Sequence, residues 1–246
     1  MAAFQIDDAR EYVFPLLSVR ADSENNTVNT DDAVFLGTAF FVTKKGDAIA
    51  SGHTVPSPEN LPAGRRLVAL VVIDGKQTIC WINYAAHFSE LDLALVKVNL
   101  SDTKFFNVSF ETVYNGVDVM LVGIPSHSLS DSGKQMRTLK GHVTLSGECL
   151  ELSVPIPSGM SGSPVFAGKN VVAYAVGVAR SEELEELIED EITEKGTGER
   201  IKRRTEIKRV IHYGIARPLS SIKDIKHAVL ENRTLGEFIE SQNHAP

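Results

Sequence analysis

Gly159-Met160-Ser161-Gly162-Ser163-Pro164-Val165 sets a serine among small residues, at a tight turn that leads straight into a strand. Gly159 can adopt backbone angles closed to other residues. That freedom would let the amides of Gly159 and Ser161 point at one spot and receive a developing oxyanion. One such donor is worth a factor of roughly 10² to 10³ in rate. A Ser/Gly turn also forms for purely local reasons, so the segment decides nothing until partners for Ser161 are found.

A nucleophilic serine needs a base to take its proton and a third group to hold that base in the right tautomer. His53 follows the short apolar strand Ala48 to Ser51 and opens a turn of small residues, Gly52-His53-Thr54-Val55. The other histidines, His87, His127, His142, His212, His227 and His244, lack this context. Asp92 enters the apolar run Leu93 to Val98. A carboxylate drawn towards the interior needs a partner, or it shifts its pKa and neutralises. An imidazole N–H is one such partner; backbone amides at a strand start are another. Glu90 would face the same side of an extended strand but lies outside the apolar run.

Outward from these residues the chain reads as short strands separated by turn signals. The first half offers Val34 to Thr43, Ala48 to Ser51, Leu67 to Ile73, Gln77 to Tyr84 and Leu93 to Val98. Asp74-Gly75 between two of them is a strong hairpin signal. The second half offers Val117 to Ile124, Met136 to Leu145, Glu148 to Val154, Ser163 to Ala167, Val171 to Ala179 and Val210 to Ala216. Roughly six strands on each side of a linker at Ser101 to Asn115 predict an all-β fold of two barrels. Ile222, Ile225, Val229 and Leu230 lie at helical spacing and predict a helix over Ser220 to Glu231, packed on the second barrel. A shorter helix follows over Leu235 to Ser241.

Composition narrows the function class. The net charge of −7 leaves no basic field to hold nucleic acid or an anionic membrane. No apolar run approaches the roughly 18 residues that span a bilayer. The start, with Asp7, Asp8, Arg10 and Glu11, lacks the basic and apolar regions of a signal peptide, so the chain reads as cytoplasmic. Cys80 and Cys149 are too few for a disulfide scaffold and have no zinc-ligand spacing; both read as small core residues. No metal or cofactor is expected.

Taken together, these segments resemble the trypsin-like, chymotrypsin-fold serine proteases, and the bacterial Deg-type branch more than the digestive one. Gly37-Thr38-Ala39-Phe40-Phe41-Val42 resembles the strand before the family's histidine, and Ser51-Gly52-His53 its histidine motif. Asp92-Leu93-Ala94-Leu95-Val96-Lys97-Val98 is similar to the aspartate strand, and Gly159 to Pro164 to the nucleophile loop. Tyr213-Gly214-Ile215-Ala216-Arg217-Pro218 is similar to the last strand. The resemblance covers about residues 34 to 230 and runs in the order His, Asp, Ser. The α/β-hydrolases put the serine first. It implies two six-stranded antiparallel β-barrels and a C-terminal α-helix within a single peptidase domain, 1–246. The barrels would be about 16–108 and about 109–218, the second with a charged insertion at 181–209; helix and tail would occupy 219–246. It also implies His53 as base, Asp92 as its orienting acid, Ser161 as nucleophile and the Gly159 and Ser161 amides as oxyanion hole, acting on a protein or peptide substrate. The rival is a protease-fold binding module without activity.

Three departures matter. Met160 stands where digestive members carry an acid that pairs with a new N-terminus, so activation by that route is not expected. Gly52 replaces the usual alanine. The pocket-floor position falls on Pro155, near Ser158, and the wall on Val176, Gly177 and Val178, which predicts small or medium apolar P1 residues. The segment Ser181 to Arg209 reads as an insertion. Glu182 to Glu194 holds eight acidic residues threaded by Leu184, Leu187, Ile188 and Ile192; Gly196-Thr197-Gly198 breaks it, and Lys195 to Arg209 holds seven basic residues. A helical or hairpin excursion whose arms neutralise each other explains it. So does a docking element for an activating or regulatory protein, which would cover the apolar stripe.

Overall fold

The computed structural model describes residues 9–21, 28–128, 136–193 and 200–244, with backbone pairing alone for 179–211. Twelve strands form two closed antiparallel barrels. The first is ordered β1 (Val13–Ala21), β2 (Val28–Phe41), β3 (Asp47–Ser51), β6 (Leu93–Val98), β5 (Lys76–Phe88), β4 (Arg65–Ile73). The second is ordered β10 (Pro164–Ala167), β11 (Asn170–Thr193), β12 (Arg200–Pro218), β9 (Leu150–Leu152), β8 (Arg137–Leu145), β7 (Asp118–Gly123). The two-barrel, all-β expectation holds.

Period-two alternation builds three apolar layers from these strands. In β6, Ala94, Val96 and Val98 fill the first barrel, while Leu93 and Leu95 face the seam between barrels. In β11, Ala173 and Ala175 fill the second barrel, while Tyr174 faces the seam. Strands buried on both faces read as unbroken apolar runs, which is why β6 was legible in the sequence. The Asp74-Gly75 turn is present, with φ of 48° and 74°, the left-handed pair that a two-residue hairpin requires. β5 runs on to Phe88 because a register shift at Ile82/Tyr84 lets it leave β4 and pair with β6. β1 was not anticipated; Pro15 sits inside it, opposite Thr38.

The C-terminal expectation needs correction. Ser220–Glu231 is not a helix: it holds two 3-10 turns, Leu219–Ser221 and Ala228–Leu230, and ends on Glu231 and Asn232 at φ 55° and 62°. Ile222 and Leu230 are buried all the same, so the apolar spacing recorded burial and not winding. The helix is α1, Leu235–His244. It does not simply cover the second barrel. Leu235, Phe238 and Ile239 join the seam cluster, and the Asn243 amide donates to the Val42 carbonyl of the first barrel at 3.0 Å.

The charged insertion is a continuation of β11 and β12 into a two-stranded antiparallel ribbon, paired from Arg180↔Tyr213 to Thr193↔Arg200. Glu185 lies opposite Lys208, Glu189 opposite Arg204, Asp190 opposite Arg203 and Glu191 opposite Lys202. Opposite charges in register favour this pairing. Leu184, Ile188 and Ile192 pair with Arg209, Thr205 and Ile201, and Leu187 with Glu206. Gly196-Thr197-Gly198 lies outside the described residues. No helix among the described residues is long and apolar enough to cross a membrane. Both cysteines are free; Cys80 is buried and Cys149 half-buried.

Candidate active site

Asp92 sits where a short 3-10 turn, Ser89–Leu91, becomes β6. Its backbone is left-handed, at φ 49° and ψ 42°. That conformation costs a non-glycine residue roughly 1–2 kcal/mol, and the surroundings must enforce it. The Gly52 amide donates to the Asp92 carbonyl at 2.7 Å, and the Asp92 amide to the Ser89 carbonyl at 3.2 Å. The approach is close: a Cβ on Gly52 would lie 3.0 Å from the Asp92 carbonyl carbon. This gives the glycine in the Ser51-Gly52-His53 segment a local reason.

His53 follows on the turn after β3. Its backbone N–H donates to Asp92 Oδ1 at 2.8 Å, and its Nδ1 lies 3.0 and 2.8 Å from the two carboxylate oxygens. The carboxylate thus holds both the main chain and the ring. Its hydrogen bond raises the imidazole pKa above the ordinary value; partial burial opposes this, and the carboxylate charge adds to it. The His53 side chain is half exposed.

Ser161 lies in the turn between Pro157 and Pro164. Gly159 and Gly162 hold φ of 91° and 86°. A Cβ on Gly162 would come within 2.0 Å of the Thr38 carbonyl oxygen, so only glycine fits. Met160, fully buried, plugs the second barrel and pins the turn from below. Its amide donates to the Pro157 carbonyl at 3.0 Å. The amides on either side, Gly159 and Ser161, have no acceptor among the described residues.

Two first-barrel residues, Thr38 and Ser51, fasten this turn. Thr38 donates its N–H to the Ser161 carbonyl at 2.9 Å and its hydroxyl to the Gly159 carbonyl at 2.9 Å. Ser51 donates its hydroxyl to the Ala175 carbonyl at 2.7 Å, and the Gly162 amide donates to that same carbonyl at 2.7 Å. The residues beside His53 and beside Ser161 therefore share one acceptor on β11. The Ser161 hydroxyl itself donates to the Val176 carbonyl at 2.8 Å and not to His53.

Of the remaining candidates, Val176 and Gly177 are half-buried on β11 next to Ser161, and Val178 is 47% exposed. Pro155 and Ser158 are exposed on the approach to the turn; the Ser158 carbonyl accepts from the Ser126 amide at 2.9 Å. Glu90 stays in the 3-10 turn, and His127 and His142 are exposed. Among the described residues no cluster of histidine, cysteine and carboxylate could hold a metal ion.

A search of curated proteins returns no match to this sequence. Among solved structures, an HtrA-type protease, AlgW, solved with a decapeptide, is similar at a TM-score of 0.56 and 14% identity, covering 98% of this chain and 69% of that one. The Rv3671c protease of M. tuberculosis, in its active form, gives 0.55 at 14% identity, covering 88% and 80%. The MamO protease domain of Magnetospirillum magneticum, in its apo form, gives 0.55 at 16% identity, covering 87% and 95%. At such identities the likeness is one of fold. Residues 37–209 match the trypsin-like peptidase domain, and with that match over most of its length the chain belongs to that family.

Proposed function

We propose that this protein is a serine endopeptidase that cuts peptide bonds through an acyl-enzyme. One observation carries the reading: Asp92 grips both the backbone and the ring of His53, while the amides of Gly159 and Ser161 have no acceptor among the described residues. In this mechanism the Ser161 hydroxyl turns from Val176 towards Nε2 of His53. Oγ then bonds to the substrate carbonyl carbon while His53 takes the proton, and Asp92 holds the imidazolium. The carbonyl oxygen, now anionic, accepts from the Gly159 and Ser161 amides. The C–N bond breaks, the leaving amine takes the proton from His53, and water repeats the sequence to free the acid. Val176, Gly177 and Val178 favour a small or medium apolar P1 residue, with Pro155 at the proposed floor position and Ser158 in the pocket. A peptide-library digest dominated by arginine or lysine at P1 would overturn that preference. The ribbon at 181–209, whose acidic arm is threaded by Leu184, Leu187, Ile188 and Ile192, is the proposed docking element for an activating or regulatory protein.

A second reading has its own support. The Ser161 hydroxyl rests on the Val176 carbonyl, which suits a latent site or a pure binding module. Treating the full chain with a fluorophosphonate and reading intact mass separates the two. One adduct on the wild type and none on Ser161→Ala is expected. No adduct on either protein would favour the second reading.

A further inference from the structure

Three consecutive residues of β11 touch the surroundings of the proposed catalytic set. Val176 receives the Ser161 hydroxyl, and Ala175 receives Ser51, two residues before His53, and Gly162, next to Ser161. Tyr174 is the third. It is fully buried, and its hydroxyl crosses the seam to donate to the Leu91 carbonyl at 2.8 Å. Leu91 immediately precedes Asp92.

We propose that Tyr174 is a positioning residue for Asp92: its phenol, reaching from the second barrel, holds the Leu91–Asp92 peptide in the orientation that aims the carboxylate at His53. The proposal rests on the reading of His53, Asp92 and Ser161 as the catalytic set. The peptide unit is planar, so the Leu91 carbonyl and the Asp92 amide turn together. Fixing the carbonyl from one side fixes the amide on the other, and with it the left-handed φ of Asp92. Left alone, a non-glycine residue relaxes out of that region. The Asp92 amide bond to Ser89, at 3.2 Å, resists that relaxation from within the turn, and Tyr174 resists it from across the seam.

The choice of tyrosine fits this task. Phenylalanine would fill the same space but leave the Leu91 carbonyl without its donor, and a buried phenol keeps its hydroxyl only where it finds an acceptor. Burial raises the Tyr174 pKa above its ordinary value. The groups facing it act in both directions: Arg217, its cross-strand partner on β12, lowers it, while Asp92 and Cys149 raise it. The phenol therefore stays protonated, and a donor, throughout the range in which His53 titrates.

The test compares wild type, Tyr174→Phe and a control, Thr103→Val, which removes another hydroxyl bonded to a carbonyl, that of Thr43. Two readouts are taken on the full chain: the rate of fluorophosphonate labelling against pH, and the NMR titration of His53, identified by the signal that His53→Gln removes. For Tyr174→Phe we expect labelling about five- to tenfold slower, the scale of one net hydrogen bond. We also expect the acid limb of the profile and the His53 titration to move to lower pH, because a loosened carboxylate stabilises the imidazolium less. Thr103→Val should change neither. A Tyr174→Phe protein with unchanged rate, limb and titration would overturn the proposal. If wild type labels no faster than Ser161→Ala, the endopeptidase reading fails, and the His53 titration still decides the role of Tyr174. Should Tyr174→Phe not fold, 3-fluorotyrosine at position 174 alone keeps the shape and strengthens the donor. An upward shift of the His53 titration is then expected, and none would overturn the proposal.

Discussion

β11 leads two different lives. Its first part, Asn170 to Val178, lies in a closed barrel and contacts the surroundings of His53, Asp92 and Ser161. Beyond Arg180 the same strand pairs, among the described residues, with β12 alone, in a two-stranded ribbon. The inner sequence is apolar and small, with the work done by main-chain carbonyls. The outer sequence is charged, and its register places acidic positions of β11 opposite basic positions of β12. A two-stranded ribbon is marginal on its own in water, whereas the inner part borrows the stability of two barrels. The lesson is that β11 places its barrel-paired part at the candidate site and carries its charged part beyond it.

The sharpest way to break this contrast is at the inner end. Gly162→Ala drives a Cβ into the Thr38 carbonyl at a left-handed φ. Labelling should vanish and the thermal midpoint should drop by an amount worth about 3 kcal/mol or more, read by mass and by calorimetry. Asp92→Asn keeps the shape but offers His53 the wrong tautomer; labelling should slow by roughly 10⁴-fold, with the midpoint little changed.

A pH series sharpens the contrast further, because 181–211 contains no histidine. In the proposed mechanism labelling needs neutral His53, and the Asp92 hydrogen bond raises its pKa above 6.5. The rate should fall about tenfold per unit below that raised value, with the midpoint of the limb above 6.5. The stability contribution runs the other way. A raised folded pKa favours the folded state at pH below the unfolded value, and that contribution is lost as pH rises through the folded one. Replacing 181–212 by an Asn-Gly turn should have the smallest effect: labelling by a small fluorophosphonate within about twofold, since a ribbon of marginal strand pairing adds little to the barrels. A larger loss would mean that the ribbon supports the site directly.

Much of this was legible because the site announces itself in side chains. His53, Asp92 and Ser161 stand in segments whose glycines and apolar runs dictate turns and strands. What stayed hidden is work done on carbonyls. Thr38, Ser51 and Tyr174 bond to the main chain of Gly159, Ala175 and Leu91, and a backbone acceptor has no letter. The helix expected over Ser220 to Glu231 failed for a related reason: four apolar residues at helical spacing can be buried by a chain of turns as well as by a helix. In the ribbon, Leu184, Ile188 and Ile192 lie four apart, a multiple of two, so the same letters suit a strand face.

The hydrogen bonds from Thr38, Ser51 and Tyr174 all cross the seam, and no single barrel contains both His53 and Ser161. The molecule is in this sense a logic gate with two inputs, and neither half alone can read as true. Supplied as separate fragments, the halves would report their own encounter: any signal would grow with the product of their concentrations, and dilution would silence it.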